Sequence, residues 1–207
     1  MSIPKGTAQL VILCCCIILT YGCAKHKETV GPAPSEPYQF PDTPDQLMAN
    51  FVEAYSGMDY QGYADVLHKD FRFVFQECDV DKLDLDSNLL GKEQELEVAV
   101  NMFSREPVQK DDGSVIAAIE DIRFLDFHPL GSWETTNELA QYPNAVRRTY
   151  QVRVEFIRPS DTNILVEGQS VYYVTCKETD CGANELRPYH QLIGWVDLTE
   201  GCEVKDE

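Results

Sequence analysis

The chain has 207 residues, with 35 acidic against 17 basic side chains and a formal net charge of −18. That balance excludes nucleic acid and anionic lipid headgroups as electrostatic partners, since both are bound through basic patches. Solvated acidic faces account for the charge itself, and they keep a domain dispersed.

The chain opens on a leader. Lys5 and the free amino terminus precede Leu10–Leu19, an unbroken apolar run. The run is too short for the roughly 20 apolar residues of a membrane-spanning helix and matches the roughly 7–15 of a signal-peptide core. It ends in Leu19-Thr20-Tyr21-Gly22-Cys23, which resembles the lipobox of bacterial lipoproteins. Thr20 stands where that family prefers Leu, and Tyr21 where it prefers a small residue. The resemblance implies cleavage after residue 22, diacylation of Cys23 and anchoring to a membrane. Ala24, in place of Asp, implies the outer membrane facing the periplasm if the source is Gram-negative. The competing readings are a plain secretory signal cleaved elsewhere, or an uncleaved anchor.

Residues 23–42 form the next segment. From Ala24 to Asp42 there are four prolines and no sustained apolar period. Such a stretch buries too little surface to fold and reads as a disordered tether, up to about 60 Å long at the extended proline-rich spacing. Loss of residues 1–22 removes one basic side chain, Lys5, leaving 16 basic against 35 acidic side chains, a net −19.

Cys14, Cys15 and Cys16 leave with the leader, so Cys78, Cys176, Cys181 and Cys202 remain beyond Cys23. Export to an oxidising compartment makes pairing the expectation. Cys176 and Cys181 flank a short loop, and a bridge there stabilises by roughly 2 kcal/mol on the loop-entropy argument. Cys78 with Cys202 is the remaining pair, although four cysteines allow three connectivities. No CxxC or HxxxH spacing supports metal binding instead.

Residues 43–207 suit one domain. Thr43-Pro44-Asp45-Gln46 reads as an N-cap, a first-turn proline and a capping box. Leu47, Phe51, Tyr55 and Met58 then form one apolar stripe. Gly57-Met58-Asp59 breaks the helix, and Asp59 caps a short second one through Leu67. Phe71–Phe75 alternates like a strand. A third helix spans Lys92–Phe103, with Leu96, Ala99, Val100 and Phe103 expected to face inward. From Ile116 the period changes to two. Ile116–Phe127, Val146–Ile157, Ile164–Cys176 and Tyr189–Leu198 are strand candidates, the second and third joined as a hairpin through 158–163. Helices first and strands after predict an α+β fold.

Phe51-Val52-Glu53-Ala54-Tyr55, Met58-Asp59-Tyr60-Gln61-Gly62-Tyr63 and Leu67-His68-Lys69-Asp70-Phe71-Arg72-Phe73 resemble the opening of nuclear-transport-factor-2-like (NTF2-like, or SnoaL-like) domains. Gly91-Lys92-Glu93 and Gly194-Trp195-Val196-Asp197-Leu198 are similar to later landmarks of that family, and the resemblance spans about residues 43–200. It implies a cone in which N-terminal helices pack in a strongly curved antiparallel sheet, leaving a pocket at the wide end. His190 stands where many members carry tryptophan, and His128 to Asn144 reads as an inserted excursion.

The implied fold hosts isomerases, dehydratases, epoxide hydrolases and non-catalytic modules, so it does not decide function. Its enzymes place Asp, His or Tyr inside the cone, where an apolar setting tunes their acidity. The candidates here are Tyr55, His68, Tyr172, His190 and Asp197. Each has a plain alternative: Tyr55 as satisfied core, His68 as a surface residue at a helix end, His190 as a structural histidine, and Asp197 as an edge carboxylate. Trp195 reads as packing. Seven of the eight arginines fall on or beside strand candidates, and pairing with carboxylates across the sheet explains them better than an anion site does. Asp84, Asp86, Asn88 and Glu95 imitate a calcium loop, but Leu89 takes the place of its turn glycine. No cofactor or metal motif appears.

The expectation is therefore an envelope-anchored protein whose domain binds a small apolar ligand or a protein partner without catalysis. A small-molecule isomerase, dehydratase or hydrolase is the alternative, and a homodimerising interaction module is a third.

Overall fold

The computed structural model describes residues 38–76, 80, 87–110, 113–142, 144–159, 163–177 and 188–198. The leader, Cys23, most of the tether and Cys78, Cys181 and Cys202 lie outside those residues, as do Asp84 and Asp86. Among the described residues no helix is long and apolar enough to cross a membrane.

Helix α1 spans Pro44–Ser56, and the Thr43 hydroxyl accepts from the Gln46 amide at 3.1 Å. The Gln46 side chain turns to Asn50 at 3.0 Å instead of completing the expected capping box. Leu47, Phe51, Tyr55 and Met58 are all buried, as their spacing predicts. The break after α1 is made by Met58, which takes the left-handed conformation at φ 53°, while Gly57 stays right-handed. Burial of the methionine side chain offsets the steric cost of that conformation.

Helix α2 spans Tyr60–Val66, and Asp59 Oδ1 accepts from the amides of Gln61 and Gly62 at 3.1 and 3.2 Å. Its last carbonyls are taken by the Lys92 ammonium, which donates to Ala64 at 2.8 Å and to the Leu67 carbonyl at 2.5 Å. Strand β1 follows at Leu67–Val74, then β2 at Leu89–Gly91 and helix α3 at Lys92–Phe103. At the start of α3, Gln94 Oε1 accepts from the Gly91 amide at 2.9 Å.

Strands β3 (Val108–Gln109) and β4 (Val115–Ile116) make a small ribbon of their own. The main sheet is completed by β5 (Asp121–Thr135), β6 (Val146–Ile157), β7 (Ile164–Cys176) and β8 (His190–Asp197). Its order is β2-β1-β8-β7-β6-β5, and the fold is α+β with a curved sheet of six strands and three helices. Bulges between Phe124 and Asp126, Leu130 and Glu134, and Tyr173 and Val174 bend the strands where they occur.

Three expectations need correction. The sheet is mixed and not wholly antiparallel, because β1 runs parallel to β8. The two strands are remote in sequence, so no hairpin dictates their direction. The excursion placed at His128 to Asn144 is strand over its first half: β5 continues to Thr135, pairing Pro129 with Tyr150 and Glu134 with Arg147. Pro129 is tolerated because β5 is an edge strand. Residues 38–42, assigned to the tether, pack on the domain ahead of Thr43. Tyr38 donates to Asp59 Oδ2 at 2.5 Å, Phe40 meets Tyr189 edge-on at 5.4 Å, and the His190 amide donates to the Pro41 carbonyl at 2.9 Å.

Phe51 is the hub of the core. Its ring lies 5.6–6.2 Å from those of Tyr55, Tyr63, Phe124, Phe127, Tyr172 and Trp195. Arg153 reaches Glu167 across β6 and β7 at 3.4 Å, as the plain reading expects, whereas Arg148 leaves the sheet to reach Asp45 of α1 at 2.7 Å.

Candidate functional site

The inner face of the sheet and the helices enclose a cavity of about 110 Å³. Alternation builds its floor. Val152, Val154 and Phe156 of β6, Val166, Gly168, Ser170 and Tyr172 of β7, and Trp195 and Asp197 of β8 are every second residue of their strands. Tyr55 of α1, Phe73 and Phe75 from β1 and its end, Leu90 of β2, Phe124 of β5, and Glu95, Val98 and Met102 of α3 close it. No lysine or arginine lines it.

Tyr55, Tyr172 and Asp197 therefore come together as candidates, and His190 does not join them. His190 begins β8, where its ring Nδ1 lies 3.1 Å from the Pro41 carbonyl, holding the N-terminal segment. His68 is not a surface residue; it is 1% exposed at the start of β1 and lies outside the cavity lining. Burial lowers its pKa. The Asp70 amide donates to its Nδ1 at 3.1 Å, and its ring packs edge-on against Tyr142 at 5.3 Å. An Nδ1 that accepts carries no proton, so this is a structural, neutral imidazole.

The polar groups in the lining decide its chemistry. Glu95 is 7% exposed, and its Oε1 accepts from Tyr63 Oη at 2.7 Å. Desolvation raises the Glu95 pKa against the pull of that hydrogen bond, and the Tyr63 phenol is pushed well up by burial and by the carboxyl beside it. Tyr172 is 0% exposed, and its hydroxyl has no hydrogen-bond partner among the described residues. Burial drives its pKa well above the ordinary value. Trp195 Nε1 is also buried without a partner among the described residues. Each unsatisfied buried donor costs about 1–3 kcal/mol. The Tyr55 hydroxyl meets the soft Met102 sulfur at 3.9 Å.

Sequence reasoning missed Glu95 and Trp195. Helix α3 turns Glu95, Val98, Ala99 and Met102 fully inward, whereas Leu96, Val100 and Phe103 are only partly covered. Glu95 therefore faces the interior and cannot serve a calcium loop at the surface. Trp195 reads as packing in the sequence, and its ring does pack, but its donor has no partner among the described residues. Its position two residues before Asp197 was the available signal.

Cys176 ends β7 and is buried. The expected partners Cys181, and Cys78 with Cys202, lie outside the described residues. Among the described residues no cluster of His, Cys, Asp or Glu is arranged to hold a metal.

No known family and no curated protein matches the sequence. Solved structures do resemble the fold. A conserved protein from Planctomyces limnophilus aligns at 12% identity and TM-score 0.44, over 74% of this chain and 90% of its own. The hexachlorocyclohexane dehydrochlorinase LinA-type3 from Novosphingobium barchaimii aligns at 9% and 0.47, over 74% and 82%. A protein described as a SnoaL-like polyketide cyclase, from Shewanella denitrificans, aligns at 14% and 0.41, over 75% and 89%. At such scores these likenesses carry no argument about activity, which has to come from the cavity.

Proposed function

We propose that this is an exported protein, lipid-anchored to the cell envelope through Cys23, whose domain holds a small, mainly apolar ligand without transforming it. The leader, the cysteine after it and the proline-rich segment support the anchoring. The observation that carries the binding function is the cavity, with a floor of valines and aromatic rings closed over by α1 and α3. Apolar walls of this kind favour a ligand by removing its surface from water, and a few fixed polar groups orient it. The pairings Cys176–Cys181 and Cys78–Cys202 belong to the same proposal, as consequences of export.

One observation favours an enzyme instead. Glu95 and Asp197 both line the cavity, so an isomerase, dehydratase or hydrolase would find its acid/base pair there and not in His190.

Ligand-induced stabilisation tests the binding function. Ethylbenzene at tenfold its Kd raises the melting temperature of the wild-type protein by about 3–5 °C. Val166→Trp fills the cavity from a half-buried position, and the rise disappears while the variant still melts cooperatively. An equal rise in wild type and variant would place the binding elsewhere and reject the cavity as the site.

A further inference from the structure

We infer that the cavity selects a neutral ligand carrying an acceptor oxygen, such as a ketone or ester carbonyl on an aromatic or aliphatic body, gripped by the Tyr172 hydroxyl and the Trp195 indole N–H. This deepens the proposed binding function and rests on it.

The register of the sheet makes the subsite. Tyr172 lies directly opposite Trp195 between β7 and β8, and Ser170 lies opposite Asp197 one step along the same face. Because side chains two apart share a face, all four project toward the cavity that they line. The Tyr172 and Trp195 rings are 5.4 Å apart and tilted by 34°. Both of their polar atoms are donors in the neutral state, both are buried, and neither finds an acceptor among the described residues. The indole has no other protonation state to adopt, and burial keeps the phenol protonated.

The donors are sealed from solvent by the rings around them. Bulk water therefore does not compete for them, and for an acceptor to reach them from the cavity the aromatic wall has to shift. A ligand oxygen placed there satisfies two groups that packing alone leaves unmet.

The other polar groups set the charge. Glu95 and Asp197 line the same space, so an anionic head meets two carboxyl groups. A neutral carbonyl receives both hydrogen bonds without that repulsion. A pure hydrocarbon fills the volume equally well but leaves both donors unmet.

Three probes of one shape separate these cases: ethylbenzene, acetophenone and benzoate, titrated into the ¹⁵N-labelled protein. Acetophenone binds about tenfold more tightly than ethylbenzene, the sum of two modest hydrogen bonds, and benzoate binds more weakly than either. The Trp195 indole proton, told apart from that of Trp133 by a Trp133→Phe variant, moves downfield with acetophenone and not with ethylbenzene. Tyr172→Phe and Trp195→Phe each reduce the preference toward unity while ethylbenzene binding persists. If a variant fails to fold, the indole proton of the wild-type protein carries the test alone. Equal binding of ketone and hydrocarbon with an unmoved indole proton overturns the acceptor subsite and leaves the apolar cavity standing. Tighter binding of benzoate overturns it in favour of an anion site. No binding of any probe removes the ligand-binding function and this subsite together.

Discussion

Glu95 concentrates what is unusual about this domain at the residue scale. It is a carboxyl inside an aromatic core, hydrogen-bonded by Tyr63, with a pKa raised because burial disfavours its charged form. A raised carboxyl pKa means that the folded protein holds the proton more tightly than the unfolded chain does. The contribution to stability is complete below the ordinary value of 4.5 and is lost as pH rises from there through the folded-state pKa. Glu95→Gln keeps an oxygen that can accept from Tyr63 and removes the titration. The variant should therefore match the wild-type protein near pH 4 and exceed its melting temperature by a margin that widens as pH rises, levelling off at higher pH. Melting curves across pH 4–8 measure that margin, and a constant offset would place the ionisation of Glu95 outside the stability balance. Of the site residues, Tyr55, Tyr172 and Asp197 were legible because they lie on clean periodic faces. Glu95 was not. The pattern Leu96, Ala99, Val100, Phe103 and the observed Glu95, Val98, Ala99, Met102 are the same helical spacing displaced by one residue, a rotation of about 100°. Hydrophobicity favours the first of these, and only the shape of the sheet beneath α3 selects the second.

At the scale of elements, local chemistry and distant partners divide the work. Helix α1 starts where Thr43 and Pro44 say it should, α3 spans Lys92–Phe103 as its period predicts, and β6 and β7 match their alternation. These segments carry their own caps and patterns. Helix α2, of only seven residues, depends on others: Asp59 caps its amides while its second oxygen holds Tyr38, and Lys92 and Gln191 take its terminal carbonyls. Tyr38 lies so close over Gly62 that any Cβ there would collide with its ring. Asp59→Ala removes the cap and the anchor of the N-terminal segment in one step and should cost about 1–2 kcal/mol. Denaturant unfolding reads this directly, and a loss under about 0.5 kcal/mol, as for an ordinary surface change, would show that α2 is held by packing alone. The length of β5 was illegible for a similar reason. Pro129 and Gly131 look like loop residues, and only the partner strand β6, with a bulge to absorb the irregularity, keeps them in the sheet.

For the whole molecule, the proposal joins an address to a cavity. An acidic domain repels anionic headgroups, so a membrane location depends on the lipid at Cys23 and on more than one acyl chain there. Cys23→Ser should move the protein from the membrane fraction to the soluble fraction with its melting temperature unchanged. Continued sedimentation with membranes would reject anchoring through that thiol. The anchor and the ligand site are separable on this view, and the serine variant should bind ethylbenzene as the wild-type protein does.

The sequence by itself determined the α+β class, the caps and periods of the longest elements, and the expectation of export, because each of these is encoded in short-range spacing and composition. Tertiary structure alone decided that β1 runs parallel to β8, that β5 extends through Thr135, that His190 ties down the N-terminal segment, and that Glu95, Tyr172 and Trp195 share one cavity. Those facts depend on which surfaces meet across long stretches of chain, and a side chain's solvent, partner and charge state are properties of that meeting and not of its neighbours in sequence.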